Sequence, residues 1–139
     1  MSHEARFVID TNVMISAVLL RQSVSRRALD TARQQGILLV SKPVLTEFDE
    51  VIRRKKFDQY LSLGERLLFL AILTRDAELV SITATITDCR DPKDNMFLEL
   101  AVSGQANGII SGDKDLLELH PFRGIPILRP DEFLAKVSF

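Results

Sequence analysis

Cysteine is nearly absent: Cys89 stands alone, so no intramolecular disulfide can staple the chain. Neither a second cysteine nor a histidine at ligand spacing accompanies it, which argues against a zinc site and leaves Cys89 as a small packing residue in a reducing compartment. The opening residues, Met1 to Arg6, lack the basic start and apolar stretch of a signal peptide. No apolar run approaches the roughly 20 residues needed to span a bilayer, so a soluble, cytoplasmic protein with no membrane contact is expected. Strong charge of either sign is also missing. A formal net charge of -1 and a pI near 6.1 exclude a protein that holds long nucleic acid by phosphate contacts alone. There is no internal repeat, low-complexity segment or linker. The two histidines, His3 and His120, have no ligand spacing to one another and read as surface residues.

The chain has 139 residues, 46% of them hydrophobic, enough for one domain with a real core. Arg6-Phe7-Val8-Ile9 and Ile37-Leu38-Leu39-Val40 are continuous apolar runs, and Gly108-Ile109-Ile110-Ser111 reads as a further short strand. Unbroken runs read as strands covered on both faces, which indicates a parallel sheet flanked by helices and an α/β class. Helices are expected over Val13 to Leu20, from Ser23 or Ser25 to a terminating Gly36, and from Ser41 and Pro43 to the basic run Arg53-Arg54-Lys55-Lys56. Ser62 and Glu65 form a capping-box pattern before Leu67 to Leu73, a stretch apolar on all sides and therefore expected to be buried, in the core or by a partner. Leu79 to Thr87 reads as a strand and Asp88 to Asp94 as a loop. Asn95 to Gln105 and Asp113 to Leu119 read as helices. Ile125-Pro126-Ile127-Leu128 suits an edge strand because of its proline, and a last helix begins at Pro130.

The acids fall at informative places. Asp10 ends the first strand, on the edge of an α/β sheet where ligands bind, although Asp10, Thr11 and Asn12 are equally good helix caps. On the third helix Glu50 points away from the apolar stripe of Val44, Leu45, Phe48, Val51 and Ile52, whereas Glu47 and Asp49 lie on its two shoulders, and helical spacing does not choose between them. Asp91 before Pro92 is a cap followed by a first helical residue. Asp94 aligns with Phe97, Leu98 and Ala101, which puts a carboxylate on a buried face, costly unless protonated, hydrogen-bonded or bound to a cation. Ser111-Gly112-Asp113-Lys114-Asp115 repeats the strand-to-acid pattern of the opening stretch. Together these residues place Asp10, Asp94 and Asp113 on one sheet edge, where a hard divalent cation such as Mg²⁺ or Mn²⁺ would relieve the repulsion and serve phosphoryl chemistry.

Asp10-Thr11-Asn12 after a strand, Glu47 in the third helix, Asp94 seven residues before Ala101, and Ser111-Gly112-Asp113-Lys114-Asp115 resemble the four acidic motifs of PIN domains across nearly the whole chain. Asp91-Pro92-Lys93-Asp94-Asn95 and Ser111 to Leu117 resemble more narrowly the PIN-family toxins of toxin-antitoxin pairs, the VapC-like ribonucleases. The resemblance implies a three-layer α/β/α fold with a central parallel sheet of about five strands, and cleavage of single-stranded RNA by a water activated at Mg²⁺ or Mn²⁺. It also selects Glu47 over Asp49. Asp10, Glu47, Asp94 and Asp113 would be catalytic and bind metal, Asp115 would be an auxiliary acid, and Asn12 and Ser111 would supply polar contacts to substrate or site. A homodimer and a cognate antitoxin are implied partners. Two other functions remain in view: a catalytically silent module that binds RNA or protein, and a metal-dependent phosphatase with an aspartyl nucleophile. The latter commonly has a second Asp where this chain has Asn12.

Overall fold

The computed structural model describes residues 4–137; His3 lies outside them. The strands are β1 (Ala5–Ile9), β2 (Gly36–Val40), β3 (Glu78–Leu79), β4 (Gly108–Ile110) and β5 (Ile127–Leu128). They form a five-stranded, wholly parallel sheet in the order β3-β2-β1-β4-β5. The helices are α1 (Thr11–Leu19), α2 (Val24–Gln35), α3 (Lys42–Ile52), α4 (Leu63–Thr74), α5 (Asn95–Ser103), α6 (Lys114–Leu117) and α7 (Pro130–Val137). Helix α2 packs with α7 on one side of the sheet, and α5 packs on the other side against β1, β2 and β4 with α3 beside it. The result is the expected three-layer α/β/α sandwich.

The last three residues of β1 and of β2 are buried, as is all of β4, so consecutive side chains on opposite faces are both covered. That double burial is why these segments carry no polar alternation. Phe7 also meets Phe133 of α7 edge to face, with ring centroids 5.2 Å apart, which fastens the last helix to the first strand. Because β1 is followed outward by β2 and β3 in one direction and by β4 and β5 in the other, the chain reverses its direction of winding between β1 and β4. Crevices at such a reversal, beyond the carboxyl ends of the strands, are where open α/β sheets bind ligands.

Three sequence expectations are corrected. Leu79 to Thr87 is not a strand: β3 has only Glu78 and Leu79, and the chain then runs irregularly to Asp91. Val80 N still bonds Val40 O of β2 at 2.8 Å, but beyond it several backbone donors go to side chains of α5. Ser103 Oγ accepts from Thr83 and Ala84, Glu99 Oε2 from Ile86, and Asn95 Oδ1 from Cys89, at 2.9–3.2 Å. Those three acceptors are spaced four residues apart, so they line one face of α5 and clamp the segment along it.

The second correction concerns α4, which is not buried on all sides. Only Arg66 and Leu73 are inside, and Leu68 and Ile72 face outward. The N-cap half of the box forms, with Glu65 N donating to Ser62 Oγ at 3.2 Å, while Ser62 Oγ donates to Glu65 Oε1 at 2.9 Å.

The third is Gly36, which ends α2 with an extended backbone and not the left-handed turn of a C-terminal glycine. Its requirement is proximity, because a Cβ there would stand 1.9 Å from the carbonyl oxygen of Ala5 in the adjacent strand. Gly36→Ala should therefore lower stability by about 1–3 kcal/mol, the usual cost of overpacking, measurable by urea unfolding. Gly64→Ala, in open space on α4, should be neutral or stabilising.

Candidate active site

Asp10 follows β1 and Ser111 follows β4, and because Ile9 is paired in register with Ile110, the two neighbouring strands hand these residues to one point. The Asp10 backbone N–H completes the ladder on Ile110 O at 3.1 Å. Asp10 is both a cap and a site residue. Its Oδ1 accepts from Val13 N at 2.9 Å, capping α1, while its Oδ2 accepts from Ser111 Oγ in a short hydrogen bond. Ser111 is fully buried, so it supports Asp10 and has no surface to offer a substrate. Its Oγ also accepts from Asp113 N at 3.0 Å, and Asp113 Oδ1 in turn accepts from Asp115 N at 2.8 Å, capping α6.

Around this point lies a cleft of about 170 Å³ whose walls include Asp10, Glu47, Asp94 and Asp113. Glu47 is presented by α3 and held by a short hydrogen bond from Thr11 Oγ1. Asp49, which spacing left as its equal, turns away into an exposed pair with Arg53, 3.0 Å on. Asp94 closes the short 3-10 turn Pro92–Asp94 ahead of α5 and makes no cap bond, while Asp91 caps that turn by accepting from Lys93 N at 3.1 Å. Asn12 is exposed at the lip of the cleft.

Sequence reasoning set Asp91 aside as a cap, and the cleft shows it to be a wall residue as well. Oxygens of Asp91, Asp94 and Asp115 lie within 4.8 Å of one another, so Asp94 joins a second group of acids that includes Asp115. The signal was present in the Asp91-Pro92-Lys93-Asp94 spacing, because a residue three positions before Asp94 is brought beside it by a single tight turn. Thr11 was missed for the same reason, a cap reading that exhausted its apparent use. Arg54 and Lys93 also line the cleft and bring positive charge to the rim of an acidic site. Cys89 is buried with its thiol pushed up by burial, and exposed His120 accepts from Ile127 N at 2.8 Å, so neither faces the cleft.

Electrostatics single out two of the acids. Burial, opposed in part by the Ser111 and Val13 hydrogen bonds, raises the Asp10 carboxyl to about 6. Burial and then the neighbouring Asp113 carboxylate raise Asp94 to about 7, with Asp91 and Asp10 adding to the repulsion. Asp94 Oδ2 is buried and accepts no hydrogen bond. An orphaned carboxylate oxygen among other carboxylates, with an all-oxygen donor set, fits a hard divalent cation of the Mg²⁺ or Mn²⁺ type.

Residues 6–115 match the family model for the PIN domain. The chain belongs to the PIN-domain family. PIN domains are a family of nucleases, and the acidic cleft lies at the strand ends where such a site is expected. The chain is 32% identical over 116 residues to a protein of Methanocaldococcus jannaschii named "Uncharacterized protein MJ1680", a match spanning 82% of this chain and 74% of that protein. In fold it is similar to a chain of the Rickettsia felis VapBC2 complex, solved bound to a DNA fragment from its promoter. The TM-score is 0.61 at 14% identity, covering 88% of this chain and 96% of that one, so the likeness is one of architecture.

The raised carboxyls fix the sign of a pH effect in the metal-free protein. A folded-state pKa above the unfolded value means that the folded chain binds more protons between about pH 4 and 7, so stability falls as pH rises through that window. In chelator the thermal midpoint should be higher at pH 5 than at pH 8. Adding Mn²⁺ should raise it at pH 8 and scarcely at pH 5. Asp94→Asn should be more stable than wild type in chelator at pH 8 and should lose the Mn²⁺ response.

Proposed function

We propose that this PIN-domain chain is a divalent-metal-dependent endoribonuclease that cleaves single-stranded RNA, and that it serves as the toxin of a toxin-antitoxin pair. The observation that carries the chemistry is the convergence of Asp10, Glu47, Asp94 and Asp113 on one cleft, with Asp94 Oδ2 buried and without a donor. Asp10, Glu47, Asp94 and Asp113 would hold Mg²⁺ or Mn²⁺, with Asp115 and Asp91 as the auxiliary acids beside Asp94. A bound cation of this kind supplies Lewis-acid stabilisation of the phosphate and a water of lowered pKa, so that no side-chain nucleophile is needed.

The chain's own groups have definable tasks. Ser111 Oγ and Val13 N fix both oxygens of Asp10, and Thr11 fixes Glu47, so the acids are oriented before substrate arrives. Arg54 and Lys93 at the rim neutralise the phosphates flanking the cut bond, which an acidic cleft would otherwise repel. Asn12 at the lip offers an amide to the sugar or base next to the cut. The absence of a second acid at position 12 disfavours an aspartyl phosphatase.

The toxin role is supported by the architectural likeness to a chain of VapBC2, a complex solved bound to promoter DNA. By the same analogy the partners would be an antitoxin encoded in the adjacent reading frame and a second copy of this chain, and the setting cytoplasmic. Expression without that frame should arrest growth, and co-expression should restore it.

Cleavage of a single-stranded RNA should require Mn²⁺ or Mg²⁺ and stop in chelator, and Asp10→Asn and Asp94→Asn should each abolish it; retained cleavage in both variants would sink the assignment. Ser111→Ala should leave cleavage measurable but weaken the apparent metal affinity by about 10- to 100-fold, as loss of a ligand-orienting hydrogen bond does. A phosphomonoester should not be turned over.

A further inference from the structure

The chemistry above leaves unused a groove that adjoins the acidic cleft. Beyond Asn12, a groove of about 270 Å³ runs between α1 and the short turn Lys55–Phe57, with Leu19, Leu20, Lys56, Phe57 and Tyr60 among its walls. Asn12 lines both the acidic cleft and this groove, so the two adjoin. Tyr60 is 52% exposed and Leu20 46%, so both side chains are open to a ligand in the groove. Lys56 Nζ stands 5.2 Å from the centre of the Phe57 ring, and Arg54, two residues earlier, reaches the acidic cleft.

The turn is also held rigid from below. Arg66, 1% exposed, donates to Asp58 Oδ1 from both terminal nitrogens at 3.0 Å and to Leu61 O at 2.9 Å, while Tyr60 N bonds Phe57 O at 3.0 Å. The backbone that carries Phe57 and Tyr60 is therefore braced before any ligand arrives, which lowers the entropic cost of binding.

We propose that this groove is a base-stacking subsite for the nucleotide adjacent to the cut phosphodiester, with Tyr60 taking the base face and Lys56 the phosphate that follows. The inference rests on the ribonuclease reading of the neighbouring cleft. A path that passes from carboxylates through an amide to exposed aromatic and cationic side chains suits a single strand: phosphates would meet Arg54 and Lys56, and a base would meet Tyr60. A base still paired in a duplex cannot splay onto such a ring, so the subsite would also select single strands.

Tyr60 is the chain's single tyrosine and there is no tryptophan, so tyrosine emission reports this groove alone. A short oligouridylate added to wild-type protein in chelator, where it is not cut, should shorten the Tyr60 emission lifetime. With Mn²⁺, Tyr60→Ala should raise KM by about tenfold with a smaller change in kcat, in line with the loss of one stacked base. Tyr60→Phe should retain the wild-type KM, and an RNA abasic at the flanking nucleotide should lose nothing further in Tyr60→Ala. Circular dichroism and the thermal midpoint should be unchanged in both variants.

Cleavage with an unaltered lifetime and an unaltered KM in Tyr60→Ala would overturn the subsite while leaving the nuclease reading intact. Quenching by RNA in a protein that never cleaves would uphold the subsite and defeat the nuclease reading. A lifetime that tracks protein concentration, or an added helical peptide, and ignores RNA would show the groove to be covered by protein and would overturn the proposal.

Discussion

Like charge held together out of water is the constraint on which the rest of this structure depends. Asp10 is 3% exposed, Asp94 has a buried oxygen without a donor, and Asp113 adjoins both. Moving them apart would relieve the repulsion, but Asp10 and Asp113 are fixed by bonds the fold cannot release cheaply, and Asp94 is held by the turn that opens α5. Asp10 is tied to the β1–β4 ladder and to the start of α1, and Asp113 to Ser111 and the start of α6. The repulsion is thus stored in the metal-free site and is available to bind a cation.

Helix capping is the means by which that storage is achieved. A capping carboxylate uses one oxygen for the backbone and is left with a second whose direction is then set. Asp10 and Asp113 each commit Oδ1 in this way. The positive end of α1 also favours the negative charge placed there. Structural and chemical readings of these aspartates are therefore not competitors, since the cap is what aims the remaining oxygen.

The helices behind the cleft serve the same end at longer range. Helix α5 sets Asp94 at its head and, through Asn95, Glu99 and Ser103, draws the irregular segment after β3 along its side until Asp91 arrives next to Asp94. Helix α3 carries Glu47 one residue before Phe48, a core side chain only 1% exposed, so the position of the carboxylate is locked by packing. Just beyond its buried end at Val51 and Ile52, Arg54 lines the acidic cleft and Lys56 the aromatic groove.

Much of this was legible in the chain alone. Unbroken apolar runs announced doubly covered parallel strands, and the strand-then-acid repeats at Asp10 and Asp113 announced a shared edge, because local periodicity reports burial and strand ends report sheet edges. Helical phase separated Asp94 from Asp91 and dismissed Glu50. It could not choose Glu47 over Asp49, since both flank the stripe, and only the packing of α3 against α1 put Thr11 beside Glu47 and left Asp49 to Arg53. Nor could it foresee that the segment after Val80 would bond side chains of α5 instead of a strand, or that Leu68 and Ile72 would face outward. Those outcomes turn on which surfaces meet across long sequence separations. The sequence by itself determined which residues prefer burial and where carboxylates end strands; the tertiary structure alone decided which carboxylates share a cleft, because proximity between distant segments is a property of packing and not of periodicity.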